Sequence, residues 1–246
     1  MSRNFDIVNE AAPQIGVTPS TRAKTGAAAD VSAPRALAGS VNEEITRLVQ
    51  RVFLSAPAEK SKAVVFCGID RGAGCSWICA RAAEFLASHT PGRVCIIDAN
   101  LRSPSLHQHF RSTLGPGLAA AMRDSAPIEA FVRTTRTDHL WLLTAGDAVG
   151  EPNGALTPDR LQSRLAELRD EFDFLLIDAG AASASNDALL LGQLSDGVVL
   201  VVASHSTRRE AARMAKQTFD DAKVPILGAV LNKRTYPIPD AVYRRL

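Results

Sequence analysis

Apolar residues recur along this chain in two rhythms. After Val41, the residues Ile45, Leu48, Val49, Val52 and Phe53 fall at i, i+3, i+4, i+7 and i+8, the spacing of one face of an amphipathic helix. Beyond a short linker from Ser55 to Lys62 that contains Pro57, compact apolar runs alternate with helical stretches. Strands are predicted at Ala63 to Cys67, Arg93 to Asp98, Leu140 to Leu143, Phe174 to Asp178, Gly197 to Ala203 and Ile226 to Leu231. Helices are predicted at Ser76 to Ser88, Pro158 to Glu171, Asp187 to Gln193 and Thr207 to Ala222, with weaker pieces at Leu118 to Met122 and Ile128 to Val132. In the Pro158 helix, Leu161, Leu165 and Leu168 share one face. Continuous apolar strands between helices imply a mainly parallel sheet covered on both sides, an α/β three-layer sandwich. Ligands then belong at the carboxyl ends of the strands.

Composition narrows the reading. Residues 1 to 40 are rich in Ala, Ser, Thr and Pro without a sustained period, and are expected to form a disordered tail ahead of one domain over 41–235. The net charge of +2 gives no footprint for nucleic acid. No apolar run reaches the roughly 18 residues that span a bilayer, and the N-terminus lacks a signal-peptide core, so a soluble cytoplasmic protein is expected. The four cysteines, Cys67, Cys75, Cys79 and Cys95, form no CxxC pair; Cys67 and Cys95 fall inside apolar runs, where burial in the core is their expected role. His107 and His109 sit two apart in an expected loop, a spacing read as solvated rather than metal-binding.

The first strand runs into Gly68-Ile69-Asp70-Arg71-Gly72-Ala73-Gly74-Cys75-Ser76, where a helix begins. Glycines let backbone N–H groups wrap an anion, and the helix dipole adds positive potential. Gly74 and Ser76 match the second glycine and the magnesium-binding hydroxyl of the phosphate-loop pattern GxxxxGK[ST]. Ile69 stands where the first glycine would be and Cys75 where the lysine would be. A thiol brings no charge to a phosphate, and losing that contact costs roughly 2–4 kcal/mol of transition-state stabilisation. A phosphate site and a packing turn both remain open on this motif alone. Gly68, Gly72 and Gly74 also spell the GxxxGxG turn of NAD(P)-binding short-chain dehydrogenases. That alternative lacks its tyrosine with a lysine four residues on, since Asp240 follows Tyr236 and the chain ends after Tyr243.

The second strand ends in Ile97-Asp98-Ala99-Asn100-Leu101-Arg102-Ser103-Pro104-Ser105-Leu106, and Phe172-Asp173-Phe174-Leu175-Leu176-Ile177-Asp178 forms a later strand. These runs, with Ser185 to Leu190, Ser195 to Val202 and Gly228 to Asn232, resemble the bacterial tyrosine kinases of capsule and exopolysaccharide systems. Those are P-loop ATPases of the deviant Walker A type. The family motifs read roughly IDADLRRPSLH and YDYVIIDTPP. The resemblance implies ATP or ADP with Mg2+ as cofactors. It implies catalytic roles for Asp98, Asn100 and Asp178, with Asn100 replacing a family aspartate, and metal roles for Ser76, Asp98 and Asp178. It implies nucleotide binding by Gly72, Ala73, Gly74, Cys75, Ser76, Trp77, Arg102 and Asn232, the last at the place where related ATPases read adenine.

Two functions follow from the resemblance. One is a working autokinase whose phosphoacceptors are Tyr236 and Tyr243, the only tyrosines, in a flexible tail over 236–246. The other, favoured because charge is lost at Cys75 and Asn100, is a degenerate regulator or scaffold of polysaccharide polymerisation and export. Either implies recruitment to the inner membrane by the cytoplasmic tail of a membrane co-polymerase or chain-length regulator, and homo-oligomers of the protein itself. Glu43, Glu44, Arg47 and Arg51 echo the family's ring-forming helix, and equally suit a solvated face with i to i+3 and i+4 pairs.

Overall fold

The computed structural model describes residues 43–55, 62–147 and 157–233. The tails over 1–40 and 236–246 expected from the sequence lie outside the described residues, as do Tyr236 and Tyr243.

The first helix, α1, covers 43–49 and continues as a π-helical turn, Gln50–Leu54. Its apolar stripe Ile45, Leu48, Val49, Val52 and Phe53 is buried, as the periodicity requires. Glu44 and Arg47 form a 3.0 Å i to i+3 pair on its outer face. There follow β1 (Lys62–Gly68), α2 (Cys75–His89) and β2 (Val94–Asp98). Two four-residue helices come next, α3 (Leu106–His109) and α4 (Leu118–Ala121), then a 3-10 turn over Ile128–Phe131. The chain continues through β3 (Arg133–Thr134), β4 (Leu140–Leu143), α5 (Pro158–Glu171) and β5 (Phe174–Ala181). It ends its described part with α6 (Asp187–Gln193), β6 (Val198–Ala203), α7 (Arg209–Asp221) and β7 (Ile226–Asn232).

The seven strands form one sheet in the order β3-β4-β2-β5-β1-β6-β7. All pairs are parallel except β3 with β4, a two-residue antiparallel edge. Alternate strand residues enter different cores, as a sheet buried on both faces demands. Ala63, Val65 and Cys67 of β1 pack with α4, α5, α6 and α7, whereas Val64 and Phe66 pack with α1, α2 and α3. Leu161, Leu165 and Leu168 seal α5 onto the first core, each burial contributing roughly 1.5–3 kcal/mol. The predicted α/β three-layer sandwich is the fold observed.

Beyond shifts of one or two residues at element ends, three features differ from the sequence reading. The strand expected to stop at Asp178 runs on to Ala181, because Ala182 N–H donates to the Gly68 carbonyl and keeps β5 alongside β1. His107 and His109 lie in the short helix α3 rather than in a loop, and His109 Nε2 pairs with Glu84 at 3.3 Å. β3 is an edge strand that no hydrophobic alternation announced, since Arg133 and Thr134 are polar.

Candidate phosphate and magnesium site

The carboxyl ends of β1, β2 and β5 lie side by side, so the loop after β1 meets the last residues of its neighbours. Asp98 and Asp178 are direct partners in the β2–β5 register. The loop itself is built by its glycines. Ala73 N–H donates to the Asp70 carbonyl at 3.3 Å, closing a turn over residues 70–73. Its third position, Gly72, has φ +77°, and a Cβ there would meet open space. Gly74 caps α2 with φ +85°, and a Cβ there would strike the amide of Asn232. Only glycine suits both positions.

Asp178 is fully buried behind this loop. Its Oδ1 accepts a 3.3 Å hydrogen bond from Gly180 N–H, while Oδ2 is buried with no hydrogen-bond partner. Burial raises its pKa, and the Ser76 hydroxyl and Cys75 thiol, facing it at the start of α2, pull the other way. Asp98 is also fully buried. Its Oδ2 accepts from Ser105 and Leu106 N–H at 3.0 Å each, and its Oδ1 from Asn100 N–H at 3.3 Å. Burial, then the charge of Asp178, push its pKa up to about 7 against those three donors.

Asp98 therefore has a second occupation that the sequence reading missed: it holds the start of α3. The signal was present in the Ser103-Pro104-Ser105 turn that follows it, where N–H groups need an acceptor. Asn100 is committed locally too. Its Nδ2 donates to the Ser103 carbonyl at 2.9 Å, and its side chain lies against Gly180, whose φ is +71°. A carboxylate in that place would have no hydrogen to give.

Cys75 is 7% exposed and belongs to the core under α2. Burial, followed by the charge of Asp178, holds its thiol well above the usual range. The position that carries a lysine in the phosphate-loop pattern is thus occupied by a neutral core side chain. Periodicity contained this fact, because Cys75, Ile78, Cys79 and Ala82 fall on one helical stripe and all are buried. Trp77 is half-buried against the same core. Arg102 is exposed on the loop after β2. Asn232 is 4% exposed and donates through Nδ2 to the Ala73 carbonyl at 2.9 Å, so it braces the phosphate loop from the end of β7.

The residues present fit a magnesium nucleotide in part. The wrapped loop at the N-terminus of a 15-residue helix suits phosphate oxygens. The orphaned Oδ2 of Asp178 beside Ser76 suits Mg2+, which takes one or two protein ligands and completes its shell with water and phosphate. No group of three or more His, Cys, Asp and Glu that could hold a metal ion occurs among the described residues. Beside the loop, between α6 and α7, opens a cavity of about 300 Å³ lined by residues that include Ile69, Asp70, Ser183, Leu189 and Phe219. All four cysteines are free and buried. No helix among the described residues is long and apolar enough to cross a membrane.

No protein-family model matches the chain. It is 29% identical over 194 residues to the tyrosine-protein kinase YwqD of Bacillus subtilis, covering 78% of this chain and 81% of the relative. It is 28% identical over 163 residues to the succinoglycan biosynthesis transport protein ExoP of Rhizobium meliloti, covering 65% of this chain and only 21% of that longer protein. The kinase domain of the Escherichia coli tyrosine kinase ETK superposes with a TM-score of 0.74 at 21% identity, covering 81% of this chain and 79% of that one. The dehydrogenase alternative gains no support from these comparisons. A P-loop fold, a run of motifs in the right order and the kinase relatives agree: the chain is similar to bacterial tyrosine-protein kinases of capsular and exopolysaccharide systems, with Cys75 at the lysine position of the phosphate loop.

Proposed function

We propose that this protein is a nucleotide-binding, kinase-like member of a polysaccharide synthesis and export system whose own phosphotransfer is weak or lost, and that it regulates or scaffolds its partners. One observation carries the reading: two buried carboxylates and a serine converge on the phosphate loop, while a buried thiol stands at the lysine position. Ser76 and Asp178 would hold magnesium, and the backbone from Gly72 to Ser76 the phosphates. With Asn100 and Cys75 neutral, the site offers positioning with less charge stabilisation than phosphoryl transfer ordinarily uses. The partner is the cytoplasmic tail of a membrane co-polymerase, which brings the protein to the inner membrane.

The rival reading, an active autokinase, draws on the retained Ser76, Asp98 and Asp178. Incubation with magnesium ATP separates the two. We expect no label on tyrosine from the protein alone. Label that appears in the wild type and vanishes in the Tyr236→Phe/Tyr243→Phe and Asp178→Ala variants would establish the autokinase instead.

A further inference from the structure

The loop has lost its lysine charge, yet a cation stands four residues before Cys75. Arg71 occupies the second position of the turn over residues 70–73, next to Gly72. In a turn of this kind the ends lie within about 7 Å, so the second residue projects from the apex rather than into the protein. Arg71 is exposed and makes no hydrogen bond or ion pair with any described residue. The space at Gly72 is open on its Cβ side, leaving the apex uncrowded. The other cations at this edge are placed differently, and Arg208, also exposed, stands just before α7 on the loop after β6. Arg102 stands on the loop after β2 and already has an interaction within the protein. Lys233 follows β7, two strands from β1 in the sheet.

We propose that Arg71 is a phosphate-binding residue, and that it supplies from the turn of the loop the positive charge that Cys75 does not supply from the helix. The inference rests on the nucleotide-site reading given above. The second mark of a ligand here is independent of the arginine: the buried, unpartnered Oδ2 of Asp178, which needs a cation brought in with a phosphate. The chemistry suits an arginine, whose rigid fork gives two parallel hydrogen bonds to phosphate oxygens and remains charged at every working pH. A guanidinium on a turn is also free to swing away. The loop would then bind a nucleotide while holding its cation loosely, unlike a lysine fixed in the first turn of a helix.

The test is a calorimetric titration of the full chain with magnesium ADP at low and high salt, on wild type, Arg71→Ala and Arg71→Lys. The wild type is expected to bind. Loss of a charge-assisted contact should weaken Arg71→Ala about tenfold or more at low salt, and the gap should narrow at high salt. Arg71→Lys should recover part of the loss. Because the side chain is exposed and unpartnered, the melting temperatures without nucleotide should coincide, which separates a binding defect from misfolding. Equal affinities for wild type and Arg71→Ala would overturn this proposal while leaving the nucleotide site standing. A wild type that binds no ADP would overturn the nucleotide reading and this proposal with it.

Discussion

The two ends of the sheet treat charge in opposite ways. At the amino edge every acidic group we describe is answered. Asp196 Oδ2 accepts from Ala63 N–H at 2.6 Å, and Arg169 reaches both its oxygens at 3.0 and 3.2 Å. Asp173 Oδ2 accepts from Arg93 N–H at 2.7 Å, and the Arg93 guanidinium pairs with Glu171 at 2.9 Å while lying over Trp141 and Phe172. At the carboxyl edge two aspartates are fully buried, side by side, with no ion pair to a described cation. Asp98 is met by backbone donors, whereas Oδ2 of Asp178 has no hydrogen-bond partner. Residues that only hold a fold are arranged as at the first edge. An arrangement like the second costs stability and points to a site that something else must complete.

The largest expected effect breaks the contrast at its centre. Asp178→Asn should weaken magnesium nucleotide binding by about 100-fold, on the order of 3 kcal/mol, because the orphaned carboxylate oxygen is gone. The same change should raise the protein's own unfolding free energy by about 1–2 kcal/mol, since a buried uncompensated charge disappears. Urea melts without nucleotide measure the second effect and titration the first. A variant that loses both binding and stability would mean that Asp178 is structural like Asp196.

Next comes the loop. Gly74→Ala would place a Cβ against the Asn232 amide at φ +85°. It should cost about 1–3 kcal/mol and weaken nucleotide binding together with stability.

The buried pair also sets a pH dependence. An aspartate in an unfolded chain titrates near 3.9, about the usual value, so between that pH and the folded value of Asp98, about 7, the folded protein holds a proton that the unfolded chain does not. Stability is then full below about pH 4 on this account and is lost as pH rises through about 7. Glu84, whose pKa is lowered in the folded state by its His109 and Arg81 partners, acts in the opposite sense below its usual range. Between pH 5 and 8 the apo protein should lose about 2–3 kcal/mol, and Asp98→Asn should flatten the curve.

How much of this contrast the chain announced is uneven. The strand order of burial, the helix stripes and the convergence of Gly68 to Ser76 with Asp98 and Asp178 were all legible, because period and position along parallel strands dictate them. The commitments of individual polar atoms were not. That Asn232 braces Ala73, or that Asp98 receives the N–H groups of Ser105 and Leu106, depends on contacts across 159, 7 and 8 residues of sequence respectively. No local pattern encodes the first. The last two are local enough to have been read from the turn, yet an aspartate at a strand end invites a catalytic reading first. The π-helical turn over Gln50–Leu54 keeps the stripe of α1 buried and so leaves no mark on the periodicity.

The amino edge supplies the counter-test. Asp196→Ala removes the acceptor for Ala63 N–H and both contacts of Arg169. Little of the loss comes from the ion pair, which is exposed to solvent and screened. The unsatisfied backbone donor should account for about 1–2 kcal/mol. Nucleotide affinity should not change, since the residue stands at the other end of the sheet. A shift in affinity would show that the two edges are coupled.

The smallest effect concerns Asn100, where the sequence differs from the kinase motif by a single amide. Restoring the family residue by Asn100→Asp invites the expectation of restored chemistry. The local geometry argues otherwise. The Asn100 amide gives its hydrogen to the Ser103 carbonyl and closes the turn that leads to α3. An aspartate would set a carboxylate oxygen against that carbonyl oxygen, and would add a third negative charge near Asp98 and Asp178, which already lack a cation. The turn should weaken by about 0.5–1 kcal/mol, read as a small fall in melting temperature, with no tyrosine label gained. If Asn100→Asp alone produced self-labelling, the limiting loss would lie at residue 100. The neutral side chain at Cys75 would then be of little consequence to the chemistry.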